Sequence, residues 1–128
     1  MRKTKILVIG PPTLSRIIEH LFRNQPEFEV AGSLSDVQYL AREADRLQPD
    51  LIVANVKPVN VRICRMVASI KRSSPLSKLI LVCPLEDLSR AARRCGADAY
   101  LNDEKLTSQL LIMARTLSDR PKVAKAGS

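Results

Sequence analysis

Four side chains able to do chemistry follow short apolar runs of this sequence. Asn55 and Lys57 come after "LIVA", Cys83 ends "KLILVC", and Asp103 follows "AYLN". An amide, an ammonium, a thiol and a carboxylate can bind an anion, form an ion pair or, for the thiol, act as a nucleophile. The buried-hydrophobe interpretation is the favoured one for a cysteine in so apolar a run. The chemistry therefore depends on which elements bring these side chains together.

Short β-branched runs alternate with segments of helical periodicity along the chain. The pattern predicts a helix N-cap at Ser35 and a glycine C-cap at Gly96. Strands alternating with helices indicate a parallel sheet covered on both faces, so the expected fold is α/β, doubly wound, five-stranded and flavodoxin-like, (β/α)5. The strands are predicted at 6–9, 28–33, 51–56, 77–84 and 98–102, and the helices at 11–24, 35–48, 60–73, 86–96 and 105–119.

In such a fold, ligands bind outside the carboxyl ends of the strands, which is where the four side chains would gather. The chain of 128 residues suits one domain, predicted at residues 1–120. Residues 121–128 are expected to be a flexible basic tail or the start of a linker.

Composition restricts the function classes. Aromatic residues make up 3% of the chain, too few for a base-stacking platform. The net charge of +8 favours acidic partners. The chain has an odd number of cysteines and no CxxC pair: Cys64, Cys83 and Cys95. Neither a disulfide nor a zinc site is therefore predicted. Free cysteines in turn lead us to expect the reducing cytoplasm as the compartment. No apolar run approaches the length of a membrane span, so no membrane partner is expected.

The segments "KILVIG", "PDLIVANVKP", "KLILVCP" and "GADAYLND" resemble, in order and spacing, the receiver domains of two-component response regulators. The resemblance covers residues 4 to 118. It implies a chemotaxis-regulator-like fold and a bacterial, cytoplasmic module of phosphorelay signal transduction. The segment from Glu27 to Val53 is most similar to receivers that precede helix-turn-helix output domains. No such domain follows here, and the possibility that this chain is one domain of a longer protein stays open.

The same resemblance places this chain outside ordinary receiver chemistry. Receivers carry an acidic pair, a phosphoacceptor aspartate, a Ser or Thr and a Lys at successive strand ends. The matching positions here are Gly10 and Pro11, Asn55, Cys83 and Asp103. Without carboxylates Mg²⁺ loses its usual oxygen ligands, and an amide is a poor nucleophile. The expectation is a degenerate receiver, or pseudo-receiver: no enzyme, no catalytic residue, no metal or Mg²⁺, no other cofactor, and signalling independent of phosphorylation.

Two further residues are candidates at this edge. Tyr100 matches the family's switch aromatic, although packing of an edge-strand aromatic against the last helix is the favoured explanation. Lys57 is a candidate anion-binding or pocket cation, and we hypothesise that it pairs with Asp103.

Basic residues form the remaining functional signal. They are expected on the third and fourth helices and favour a protein partner with an acidic surface. The resemblance also implies self-association through the fourth helix, fifth strand and fifth helix. A nucleic-acid-binding domain and a small-ligand sensor at the rim of Asn55, Cys83 and Asp103 stay open as alternatives. The candidate docking residues are Arg62, Arg65, Arg72, Arg90, Arg93 and Arg94.

Overall fold

A computed structural model describes residues 3–57 and 59–118, with backbone alone at 90–94. The predicted alternation of elements is confirmed. The strands are β1 (Thr4–Ile9), β2 (Phe28–Leu34), β3 (Leu51–Asn55), β4 (Lys78–Cys83) and β5 (Ala99–Asn102). The helices are α1 (Pro12–Arg23), α2 (Leu40–Leu47), α3 (Val61–Ser73), α4 (Leu85–Arg94) and α5 (Leu106–Ser118).

The strands form one parallel sheet in the order β2-β1-β3-β4-β5. Successive residues of β3 alternate between two buried clusters, because side chains in a strand point to opposite faces. Ile52 and Ala54 pack with α2 and α3 on one face, whereas Leu51 and Val53 pack with α1 and α5 on the other. The predicted α/β, doubly wound fold is therefore confirmed. No helix within the described ranges combines the length and apolar character needed to cross a bilayer.

The start of the second helix differs from the prediction. Ser35 is not the cap: the Asp36 carboxylate accepts the Gln38 N–H at 3.0 Å and starts a 3-10 turn at Val37–Tyr39, after which α2 begins. The Asp36 carboxylate competes with the Ser35 hydroxyl for the same backbone donors, and Asp36 lies one residue closer to the turn. Gly96 has φ +78, as the predicted C-cap requires. The predicted tail, residues 121–128, lies outside the described residues.

A disulfide corrects the prediction made from the cysteine count. Cys64 in α3 is bonded to Cys95, which directly follows α4, with a Cα–Cα distance of 4.3 Å. The expectation of no disulfide is wrong because α3 and α4 cover the same face of the sheet, and that neighbourhood is not visible in the spacing. A second link on this side is the ion pair between Lys71 of α3 and Asp98 before β5. The Asp98 carboxylate also accepts the Leu79 N–H at 2.7 Å.

Candidate functional site

The sheet register brings the predicted site residues to one edge. Ile9 pairs with Ala54, so the backbone of Gly10 continues beside Asn55 at the ends of β1 and β3. Cys83 pairs with Asn102, at the ends of β4 and β5. Parallel strands end at the same edge, which is why residues far apart in sequence meet here.

Asn55 uses its side chain as a hydrogen-bond donor to the neighbouring strand. Its Nδ2 lies 3.3 Å from the carbonyl oxygen of Val82 in β4. The same carbonyl accepts the backbone N–H of Val56 at 2.9 Å. A carbonyl oxygen has two lone pairs, so both are occupied. A carboxylate at position 55 could not donate this bond and would instead face the carbonyl oxygen.

Gly10 is buried and has little space for a side chain. A Cβ at this position would lie 3.2 Å from the Cβ of Asn55 and 3.6 Å from Leu14 Cδ2. The Gly10 N–H donates to the Leu34 carbonyl at 2.9 Å, and its own carbonyl accepts the hydroxyl of buried Ser15 at 3.4 Å. Pro11 is exposed and occupies the N-cap position of α1. Gly10 is thus a crowded glycine and Pro11 a solvent-facing proline, and neither offers a carboxylate at this edge.

Cys83 is a buried thiol. It is fully shielded from solvent, and this burial raises its pKa to about 11, with the carboxylates of Asp87 and Asp103 adding to the shift. A thiol held protonated is a weak nucleophile and a weak metal ligand. The structure therefore matches the buried-hydrophobe interpretation of Cys83 rather than a reactive cysteine.

Lys57 and Asp103 do not form the hypothesised ion pair among the described residues. The reason is the strand order: β4 lies between β3 and β5, which places the two strand ends about 9–10 Å apart. Asp103 acts on the Cys83 thiol instead, and exposed Lys57 lines a groove beside α3.

Tyr100 is half-buried and is held by its hydroxyl. The Tyr100 hydroxyl accepts the backbone N–H of Ala97 at 2.9 Å, across the turn that precedes β5. Its ring packs against the cluster beneath α2 and α3, with Ala97 and Cys95 as members. The suggested packing against the last helix is therefore wrong, because α5 covers the opposite face of the sheet.

A groove of about 480 Å³ opens between α2 and α3, beside the end of β3. Its cations are Lys57, Arg62 and Arg65. The remaining lining side chains are apolar or neutral and polar: Val37, Gln38, Ala41, Asn60, Ile63, Met66 and Ser69.

Two of the predicted docking residues belong to this groove and the others do not. Arg62 and Arg65 line it, whereas Arg72, farther along α3, is exposed but outside the lining. The side chains of Arg90, Arg93 and Arg94 lie outside the described residues. Within the described ranges, no three His, Cys, Asp or Glu side chains come together in a way that could hold a metal ion.

Sequence reasoning missed the α2 side of the groove and the cap of α3. The Asn60 side chain accepts the Ile63 N–H at 3.1 Å and so starts α3. An Asn three residues before an apolar helical position is the signal that could have revealed this cap. Gln38 and Ala41 carried no comparable signal, because their position opposite α3 depends on helix packing.

No protein-family model matches the sequence, and no curated protein matches it. Solved structures do match. The response regulator domain of Thermotoga maritima CheB has a TM-score of 0.78 at 19% identity, covering 93% of this chain and 98% of that one. A LuxR-family two-component response regulator from Aurantimonas sp. SI85-9A1 has a TM-score of 0.74 at 16% identity, covering 96% of this chain and 94% of that one.

A third match is the isolated receiver domain of RcsB from Salmonella enterica serovar Typhimurium, solved in the presence of the phosphomimetic BeF3⁻. Its TM-score is 0.77 at 13% identity, with coverage of 92% of this chain and 90% of that one. Because the sequence identities of these matches are this low, the matches show that the folds are similar. The strand order, the helices on both faces and these structural matches together identify the chain as a receiver-like domain, with the flavodoxin-like fold of response-regulator receivers.

Proposed function

We propose that this domain is a pseudo-receiver: a signalling module that works by protein–protein contact and needs no phosphorylation. It would bind no Mg²⁺ and catalyse no reaction. Its activity would be set by a partner with an acidic surface, or by self-association through α4, β5 and α5.

The hydrogen bond from Asn55 to the Val82 carbonyl carries this proposal. In an ordinary receiver the corresponding carboxylate must be free to attack a phosphoryl donor. Here the amide is engaged with β4, and it is the donor of the bond. The side chain at the phosphoacceptor position thus stabilises the sheet, a role that a carboxylate could not take over.

The neighbouring positions support the same conclusion. Gly10 supplies no carboxylate for a metal ion, and a Cβ at this position would make a tight contact of 3.2 Å with the Asn55 Cβ. Mg²⁺ demands octahedral oxygen ligation, commonly through one or two carboxylates. Cys83 offers a buried, protonated thiol where receivers bond the phosphoryl oxygens with a hydroxyl.

The charge of the chain supports a binding role. A net charge of +8 attracts acidic partners and speeds association with them. Part of this positive charge is concentrated at one groove, which is lined by Lys57, Arg62 and Arg65.

The test is to incubate the protein with acetyl phosphate and Mg²⁺, and separately with Mg²⁺ and beryllofluoride. Intact mass and amide NMR shifts are then recorded. We expect no phospho-adduct and no Mg²⁺-dependent shifts at Gly10, Asn55 or Cys83. The RcsB receiver domain, treated in parallel, is the positive control. A stable adduct, or beryllofluoride shifts confined to the strand ends, would overturn the proposal.

A further inference from the structure

We propose that the groove between α2 and α3 binds an acidic, amphipathic segment of a partner protein. The inference rests on the proposed function, since it names the surface through which a domain without phosphoryl chemistry would make contact. This surface lies between α2 and α3, and its lining includes no residue of α4, β5 or α5.

One wall of the groove is a single stripe along α3. Arg62, Arg65, Met66 and Ser69 are spaced i, i+3, i+4 and i+7, so they lie on one side of the helix. At 1.5 Å per residue the stripe is about 10 Å long. The facing wall comes from the 3-10 turn and α2, through Val37, Gln38 and Ala41.

The charge of the groove is uncompensated. Lys57, Arg62 and Arg65 take part in no ion pair or hydrogen bond within the described residues. The lining contains no carboxylate. The N-terminal end of α3, capped by Asn60, adds the positive end of a helix dipole at the same place. An occupant with several negative charges would satisfy all of these groups.

Apolar side chains line the groove together with the cations. Val37 and Ala41 belong to the wall formed by the 3-10 turn and α2, and Ile63 and Met66 belong to the α3 wall. Methionine is flexible and polarisable, which suits a surface that adapts to a partner side chain. An amphipathic helical peptide with glutamates and leucines would place its apolar side against these apolar side chains and its carboxylates beside the arginines. Amphipathic helices bind hydrophobic grooves of other proteins in this way.

This mixture favours a protein segment over a nucleic acid. None of the lining side chains is aromatic, so bases would find no stacking surface. Three cations neutralise few phosphates, whereas affinity for a nucleic acid depends on many such contacts. In a complex with a nucleic acid, the apolar side chains of the groove would lie against a phosphate backbone, with which they make no favourable interaction.

The test uses a fluorescent synthetic helix with leucines at i, i+4 and i+7 and glutamates between them. The comparison peptide carries glutamine in place of glutamate. We expect the acidic peptide to bind, with affinity falling as salt rises. We expect R62E/R65E to weaken binding at least tenfold. R16E/R72E is the matched control, since it makes the same charge change at exposed arginines outside the groove and should weaken binding far less.

Amide NMR shifts should cluster at Val37, Ala41, Met66 and Ser69, and far-UV circular dichroism must show that each variant is folded. Equal losses in the two double variants would overturn the inference, because net charge alone would then explain binding. So would tighter binding of a single-stranded oligonucleotide of equal charge that R62E/R65E abolishes. Absence of peptide binding would overturn this inference alone, whereas a phospho-adduct would overturn the proposed function and leave the groove untouched.

Discussion

The side chain of Asn55 is hydrogen-bonded to the backbone of Val82, with 3.3 Å between the amide nitrogen and the carbonyl oxygen. This contact joins the end of β3 to β4 at the edge where receivers accept phosphate. This contact explains why an amide is suited to position 55, because an amide can donate a hydrogen bond to the Val82 carbonyl oxygen. Gly10 completes the arrangement, because a Cβ on the neighbouring strand would crowd Asn55.

The first prediction concerns Asn55→Asp. The substitution removes the donor and leaves a carboxylate facing a carbonyl oxygen, so we expect a loss of about 1–2 kcal/mol in the free energy of unfolding. It should not restore labelling by acetyl phosphate, because no acidic pair is present to hold Mg²⁺. Urea denaturation at pH 7 and intact mass measure the two effects.

Asn60→Asp is the matched control for this change. The Asn60 side chain acts as an acceptor at the start of α3, and a carboxylate accepts equally well. We expect its stability to stay within about 0.5 kcal/mol of the parent. An Asn55→Asp variant as stable as Asn60→Asp, or one that is robustly labelled, would contradict our account of the strand end.

The second prediction concerns the disulfide between Cys64 and Cys95. The residues are 31 apart in sequence, and the chain-entropy relation for such a loop gives about 3–4 kcal/mol of stabilisation. Dithiothreitol should therefore lower the melting temperature of the parent. C64A/C95A should melt lower and no longer respond to the reductant, whereas Cys83→Ala should respond as the parent does. Equal melting curves with and without reductant, after mass analysis has shown two more protons on the reduced chain, would refute the prediction.

The third prediction concerns alkaline pH. The folded-state pKa of Cys83 is raised from 9.0 to about 11 by burial, so the folded protein holds this proton more tightly than the unfolded chain. Its contribution to stability is complete below pH 9 and is lost as pH rises towards 11. Urea denaturation across this window should show a steeper decline for the parent than for Cys83→Ala. Non-reducing gels at each pH check that the disulfide is intact, and parallel declines in the two proteins would argue against a buried, protonated thiol.

The fourth prediction concerns Tyr100→Phe. The hydroxyl accepts the Ala97 N–H, so its removal should lower the free energy of unfolding by about 1 kcal/mol. We expect binding of the acidic peptide to stay unchanged, since the ring is an anchor for the turn before β5. Tyr39→Phe, at an exposed tyrosine, is the control for losing a hydroxyl. A changed peptide affinity without a change in stability would point to a switching role for Tyr100 instead.

Sequence reasoning reached the fold through the buried strands. In runs such as Leu51–Ala54, the side chains that point to either face of the strand are apolar. Such a strand is stable only in a sheet that is covered by helices on both faces. Element ends were less accurate. Asp36, rather than the predicted Ser35, forms the N-cap hydrogen bond, because several polar side chains compete for the same few backbone donors.

The sequence predicted that the candidate residues meet at one edge of the sheet, as the register shows, but it did not predict their contacts. Gly10, Asn55, Cys83 and Asp103 follow strands that must end together, so their gathering follows from topology. The Lys57–Asp103 pair failed because strand order decides which ends are neighbours, and β4 separates the two.

The amino-acid sequence alone determined the alternation of strands and helices and which residue types stand at the strand ends, since both depend on residue type and local periodicity. Tertiary structure decided the rest: the bond from Asn55 to Val82, the link between Cys64 and Cys95, and the basic groove of α2 and α3. Each of these joins residues distant in sequence, and their distances are set by how helices pack on the sheet. No local pattern encodes that packing.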